Sequence, residues 1–185
     1  EYTVEQLLQG MMLVSGNDAA HALAVHTAGS VEKFAKLMND KCRELGMSNS
    51  SFKNPHGLDE NGHFSTAEDM AKLMVYCMKN EQFAKLSALK SANIAEHTFL
   101  NHNKLIYIYN DCIGGKTGYT MAAGRCLVSV SRKNDTQLVC VSLSAPDDWN
   151  DHMKLYNWAF SQFVNRKLSE KMVFEIPIVS GEKDT

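Results

Sequence analysis

The chain has 185 residues and a mass of 20.7 kDa, with 44% hydrophobic residues, 22% charged residues and a formal net charge of -2. That apolar fraction builds a core for one domain or at most two, and it excludes disorder, collagen and coiled coil. Nineteen basic against twenty-one acidic side chains leave no basic surplus for a nucleic-acid backbone, and no stretch approaches the roughly 20 apolar residues of a membrane span, so the chain reads as soluble.

Thr3 and Gln6 form a capping-box pattern, after which Val4, Leu7, Leu8, Met11 and Met12 recur at helical spacing. The pattern breaks at Ser15-Gly16-Asn17, where Asn17 or Asp18 is placed to cap a second, alanine-rich helix ending at Gly29. Ser30 caps a third, with Val31, Phe34, Leu37, Met38, Cys42 and Leu45 inward and Gly46 as its stop. Residues 46–64, around Asn54-Pro55-His56-Gly57, read as an ordered loop too long for a simple connection. Ser65 with Glu68 predicts a second capping box, opening a helix with Met70, Leu73, Met74 and Cys77 on one face.

From residue 87 the periodicity blurs, and after Gly114 the character turns to strand. Runs 126–131 and 138–143, joined by Lys133-Asn134-Asp135, predict a hairpin. A helix follows over about 148–165, with Leu155, Tyr156, Ala159, Phe160 and Phe163 on its apolar face, and 173–179 reads as a new strand. Helices, then a hairpin, then a helix, without β-α-β alternation, predict a mixed α/β fold with an antiparallel sheet flanked by helices. Two or three strands are a small sheet, which points to further sheet material outside the printed residues.

The five cysteines contain no Cys-x-x-Cys pair, and neither His21 with His26 nor His97 with His102 shares a helix face, so no metal site and no disulfide framework are expected. Gly114-Gly115-Lys116-Thr117 resembles the end of a phosphate loop, but Asn110 stands where that motif needs glycine. Lys116-Thr117-Gly118 resembles instead the Lys-Thr-Gly element of serine enzymes that attack D-alanyl peptides and β-lactams, and Ser15-Gly16-Asn17 resembles their Ser-x-Asn element. Taken singly, Ser15 and Asn17 are ordinary polar residues at a helix start, and Lys116-Thr117-Gly118 is an ordinary strand end.

The order of longer matches decides between these readings. Ser15-Gly16-Asn17-Asp18-Ala19-Ala20, Leu37-Met38-Asn39, Phe52-Lys53-Asn54-Pro55-His56-Gly57-Leu58, Ser65-Thr66-Ala67-Glu68-Asp69 and Gly115-Lys116-Thr117-Gly118-Tyr119-Thr120 follow one another along the chain. Over roughly residues 1–165 the sequence resembles the D-alanyl-D-alanine carboxypeptidases, the low-molecular-mass penicillin-binding proteins. The resemblance implies a penicillin-binding-protein/β-lactamase-like fold, and domains at 1–168 (a partial carboxypeptidase domain) and 169–185 (the start of a C-terminal β domain or a linker).

It also implies an exported, extracytoplasmic enzyme without cofactor. Its partners would be peptidoglycan pentapeptide stems, with β-lactam antibiotics as inhibitors. In such an enzyme Lys116 and Thr117 hold the substrate carboxylate, Gly118 lets an extended peptide dock, and the Tyr119 N–H serves the oxyanion. Ser15 relays a proton towards the departing D-alanine, and Asn17 orients the catalytic lysine and donates to the substrate.

The family's nucleophile lies in a Ser-x-x-Lys motif several dozen residues before Ser-x-Asn, and only fourteen residues precede Ser15. The fold is therefore expected to be incomplete at the N-terminus and the printed chain inactive alone. Ser30 with Lys33, Ser50 with Lys53 and Ser87 with Lys90 match the motif but follow Ser-x-Asn, in the wrong order. An associated N-terminal fragment would supply the nucleophile helix, and a further C-terminal segment would provide membrane association.

Two alternatives stand beside this one. A catalytically inactive relative would bind peptidoglycan or a partner protein. A class A β-lactamase-like hydrolase would need Glu-x-x-Leu-Asn, whereas Glu96 is one residue too far from Leu100-Asn101. His56 is read as a turn residue rather than a general base, and Arg125 as solvated or ion-paired.

Overall fold

The computed structural model describes residues 1–162. Helix α1 (Val4–Val14) starts on the expected capping box: Thr3 Oγ1 accepts from the Gln6 N–H at 3.1 Å and Gln6 Oε1 accepts from the Thr3 N–H at 2.9 Å. Helix α2 (Asn17–Ala28) departs from expectation at its start. Its cap is Gly16, without a side-chain hydrogen bond, and Asn17 is already inside the helix. The cause is Ser15, whose left-handed backbone (φ 55°, ψ 43°) ends α1 and leaves Gly16 extended in the capping position. Buried Ala20 and Ala24 let α2 pack closely on α1 and on α3 (Val31–Glu44). Ser30 caps α3 by accepting from the Lys33 N–H, and Leu37, expected inward, is half exposed.

Residues 46–64 form the expected ordered loop. Buried Asn54 holds it from within, donating to Leu58 O and Glu60 Oε2, both at 3.0 Å, and accepting from the Gly57 N–H at 2.8 Å. His56 Nδ1 accepts from the Leu58 N–H, a turn contact. A bridge between Ser51 and Phe64 closes the loop. Helix α4 (Ala67–Cys77) is capped by Thr66, one residue after the predicted Ser65, because Ser65 Oγ is engaged with Ser50 Oγ at 2.8 Å. Asp69, in the first turn of α4, is buried and accepts from Ser50 Oγ and the Asn49 N–H. Burial alone would raise its carboxyl pKa, but those bonds and Lys72 hold it below the usual carboxylate value.

Helix α5 (Glu81–Ala88) and a hairpin of β1 (Ser91–Ile94) and β2 (His97–Leu100) occupy the stretch where periodicity fades. Only Ile94 of that hairpin is buried, so the sequence carries no alternating signal there. A short α6 (Leu105–Ile108) leads into an antiparallel sheet of β3 (Cys112–Thr120), β4 (Gly124–Lys133) and β5 (Thr136–Ser142), in that spatial order. Helix α7 (Asp148–Gln162) covers one face of the sheet; Leu155, predicted inward, is half exposed. The rest of the predicted helix to 165, Phe163, the 173–179 strand and the 169–185 domain lie outside the described residues.

Central strand β4 is covered on both faces. Leu127 joins Leu105, Cys140 and Tyr156 beneath α6 and α7, while Val128 and Val130 meet Met74 beneath α4. Each such fully buried apolar side chain contributes about 1.5–3 kcal/mol. Ser129, also in β4, bonds His152 Nδ1 at 2.7 Å and Tyr156 Oη at 2.8 Å, and His152 Nε2 meets Ser142 Oγ at 3.0 Å. This buried chain of polar groups fixes α7 on the sheet. The five thiols are free, and no helix among the described residues is long and apolar enough to cross a membrane.

Candidate active site

The turn between α1 and α2 and the strand β3 meet at one point. Ser15 caps α1, its N–H donating to Gly10 O, and the left-handed backbone leaves its side chain exposed. A register shift between Cys112 and Gly114 ends the irregular start of β3, after which Gly114 to Thr120 pair regularly with β4. Gly115 makes the close approach possible: a Cβ there would lie 2.6 Å from Val128 O and 2.9 Å from Asn103 Nδ2. The next residue is Lys116, whose Nζ donates to Ser15 Oγ and, at 2.7 Å, to Thr117 O.

Among the described residues no carboxylate lies within ion-pair distance of Lys116. Burial lowers its ammonium pKa from 10.5 to about 8. The site is therefore a partly desolvated cation whose only side-chain partner there is a hydroxyl, and it can hold an anion or pass a proton to Ser15. Thr117 adds a hydroxyl with no hydrogen-bond partner among the described residues. Gly118 is exposed, and Tyr119 is 70% exposed at the outer end of β3. Asn17, on the first turn of α2, is exposed and its side chain likewise makes no bond there, so capping does not explain it.

Beside this strand lies a cleft of about 840 Å³, walled by Lys116 to Thr120 on one side and by Phe52, Asp59, Glu60 and Phe64 of the long loop on the other. Thr120 Oγ1 donates to Asp59 Oδ1 at 2.8 Å, tying the end of β3 to that loop. The sequence flagged the loop as ordered but gave no hint that it forms a cleft wall. It also missed Asn101 and Asn103, both buried between β2 and α6; two asparagines in a polar stretch carry no periodic signal.

The three Ser-x-x-Lys matches sit elsewhere and are occupied. Ser30 caps α3, Ser50 donates to Asp69, and Ser87 is fully buried with its hydroxyl on Ala84 O. Arg125 pairs with buried Asp148 at 2.6 Å and stacks over Trp149.

Residues 1–147 match the D-alanyl-D-alanine carboxypeptidase family. The chain belongs to that family. D-alanyl-D-alanine carboxypeptidase DacF of Bacillus subtilis is 38% identical over 193 residues, covering 99% of this chain and 50% of the relative. DacB2 of Mycobacterium tuberculosis is 36% identical, covering 86% of this chain and 59% of its own length. Among solved structures, a D-alanyl-D-alanine carboxypeptidase from M. tuberculosis superposes with a TM-score of 0.80 at 33% identity, covering 90% of this chain and 66% of that one. Penicillin binding protein 5 of Haemophilus influenzae gives 0.82 at 32% identity, covering 86% and 48%. The chain spans about half the length of the curated relatives it matches. The mixed α/β fold with antiparallel sheets and flanking helices is that of these penicillin-binding-protein peptidases.

Proposed function

We propose that the protein containing this chain is a serine-type D-alanyl-D-alanine carboxypeptidase that removes the terminal D-alanine from peptidoglycan stem peptides through an acyl-enzyme. The observation that carries the reading is the bond from Lys116 Nζ to Ser15 Oγ, which joins two family motifs 101 residues apart. The Lys116 ammonium and the free Thr117 hydroxyl hold the carboxylate next to the scissile bond. Gly118 lets the peptide lie along β3 as an added strand, and the Tyr119 N–H donates to the oxyanion of the tetrahedral intermediate. Ser15, held by Lys116, passes a proton to the departing amine, and Asn17 donates to the substrate.

The nucleophile this reading requires is a serine of a Ser-x-x-Lys segment, which is not among residues 1–14, so residues 1–185 alone release no D-alanine. Residues 1–168 are assigned to part of the catalytic domain. The substrate places the protein outside the cytoplasm. β-Lactams acylate the same serine and deacylate slowly, since no glutamate stands in the spacing a rapid hydrolase needs: Glu96 lies one residue too far from Leu100-Asn101.

The test is intact-mass spectrometry of the full-length protein with benzylpenicillin, alongside D-alanine release from a pentapeptide. A stable adduct of one penicillin and D-alanine release are expected. Rapid penicillin turnover without adduct, or no reaction with either compound, refutes the reading.

A further inference from the structure

One polar group of the core stands out between the catalytic motifs. Asn103 is 1% exposed, yet its Nδ2 has no hydrogen-bond partner among the described residues. A buried donor left unpaired costs about 1–3 kcal/mol, and such a group calls for a reason in its surroundings. Its surroundings are the backbone of Gly115, directly before Lys116: Nδ2 lies 2.9 Å from the point a Cβ of Gly115 would occupy.

The same three-residue loop reaches the other half of the site. The His102 N–H donates to Leu13 O at 2.9 Å, two residues before Ser15. Asn101 anchors the loop below, its N–H donating to Lys90 O and its Nδ2 to Leu89 O, each at 2.8 Å. Asn101 Oδ1 then accepts from the Asn103 N–H at 2.8 Å, and Asn103 Oδ1 accepts from the Leu105 N–H at 3.1 Å. Asn103 is thus locked in place by its oxygen and backbone while its amide nitrogen faces β3.

We propose that Asn101-His102-Asn103 is a brace that sets the distance between Ser15 and Lys116, with Asn103 as its positioning residue. One arm holds the end of α1, and the other supports the backbone from which Lys116 projects. Removing the amide leaves a gap against Gly115. The strand relaxes into it, Lys116 withdraws from Ser15 towards water, and the proton relay loses its geometry. A displacement of about 1 Å at such a point costs about 100-fold in rate. The kinetic consequence rests on the function proposed above; the geometric one does not.

The test uses Asn103→Ala and Asn103→Ser. The second retains a short side-chain oxygen able to cap the Leu105 N–H, so folding survives if the alanine variant fails. In the 185-residue chain, the Lys116 side chain is titrated by NMR of ¹³C,¹⁵N-lysine-labelled protein, with Lys116→Arg assigning the signal. We expect the wild-type midpoint near 8 to rise by at least one pH unit towards the ordinary 10.5 in both variants. In the full-length protein, penicillin acylation by the same variants is expected to fall at least tenfold, measured where circular dichroism shows them fully folded.

An unchanged Lys116 midpoint in a folded variant overturns the brace, as does unchanged acylation. If the wild-type full-length protein reacts with neither penicillin nor pentapeptide while the midpoint still moves, the proposed function fails and the brace stands.

Discussion

His152 ties the stability of the sheet–helix packing to pH. It lies completely buried on the face that α7 turns to the sheet, and burial pushes its pKa from 6.5 down to about 4, only partly opposed by the nearby Asp148 and Asp151 carboxylates. The native imidazole is neutral at both of its bonds, to Ser129 and Ser142, while the unfolded chain takes up a proton once the pH falls below 6.5. The unfolded state then binds more protons than the folded one, so stability drops as pH falls from 6.5 towards 4.

With those two pKa values, linkage gives a loss of about 2 kcal/mol between pH 7 and pH 5 and about 3 kcal/mol by pH 4. Urea unfolding followed by the fluorescence of Trp149 and Trp158 reads this directly. Other groups titrate over the same range, His63 among them, so the informative quantity is the difference from His152→Gln at each pH. The variant is less stable at pH 7, and the gap should narrow by about 2 kcal/mol at pH 5. A gap that stays constant from pH 7 to pH 5 refutes the claim that this imidazole is held neutral.

Three further outcomes are expected. Both Ser15→Ala and Ser15→Gly lose the hydroxyl that Lys116 holds, but only alanine keeps the left-handed penalty, so the glycine variant should unfold about 1 kcal/mol later in urea titration, and equal stability would count against strain at Ser15. Arg125→Ala leaves Asp148 in the core without its cation; because Arg125 is partly exposed, a loss of about 2–3 kcal/mol is expected from urea unfolding, somewhat below that for a fully buried pair. In the full-length protein, Thr117→Val should lower kcat/KM for a pentapeptide about 10- to 100-fold, and wild-type kcat/KM should fall above about pH 8 as Lys116 loses its proton and with it the attraction for a carboxylate.

The sequence made the site visible more readily than the fold around it. Ser15, Lys116 and Thr117 of the candidate site are legible as parts of short motifs with fixed local spacing, and the structure brings the first two into contact. Helices with a one-sided apolar face were equally readable, and so was the β4–β5 hairpin with its Asn134 turn at φ 52°. What escaped were features written in tertiary contacts. The capping of α2 depends on the backbone of Ser15 rather than on a side chain, and the shift from Ser65 to Thr66 depends on a hydroxyl borrowed by Ser50. The β1–β2 hairpin buries almost nothing, and Asn103 acts through a neighbour twelve residues away. No local pattern encodes either.

The contact between Ser15 and Lys116 closes a circuit of a hundred residues, and closing so long a loop is slow and entropically unfavourable until the elements between are in place. The pair is consequently a late reporter of assembly: it exists only when the helical layer and the sheet have both docked. A ligand that bridges it clamps the two layers together, and at 100 times its Kd such a ligand adds about 2.7 kcal/mol to the stability of the chain. On the function proposed above, thermal shift by peptides ending in D-alanine, or by β-lactams, would then measure recognition independently of turnover.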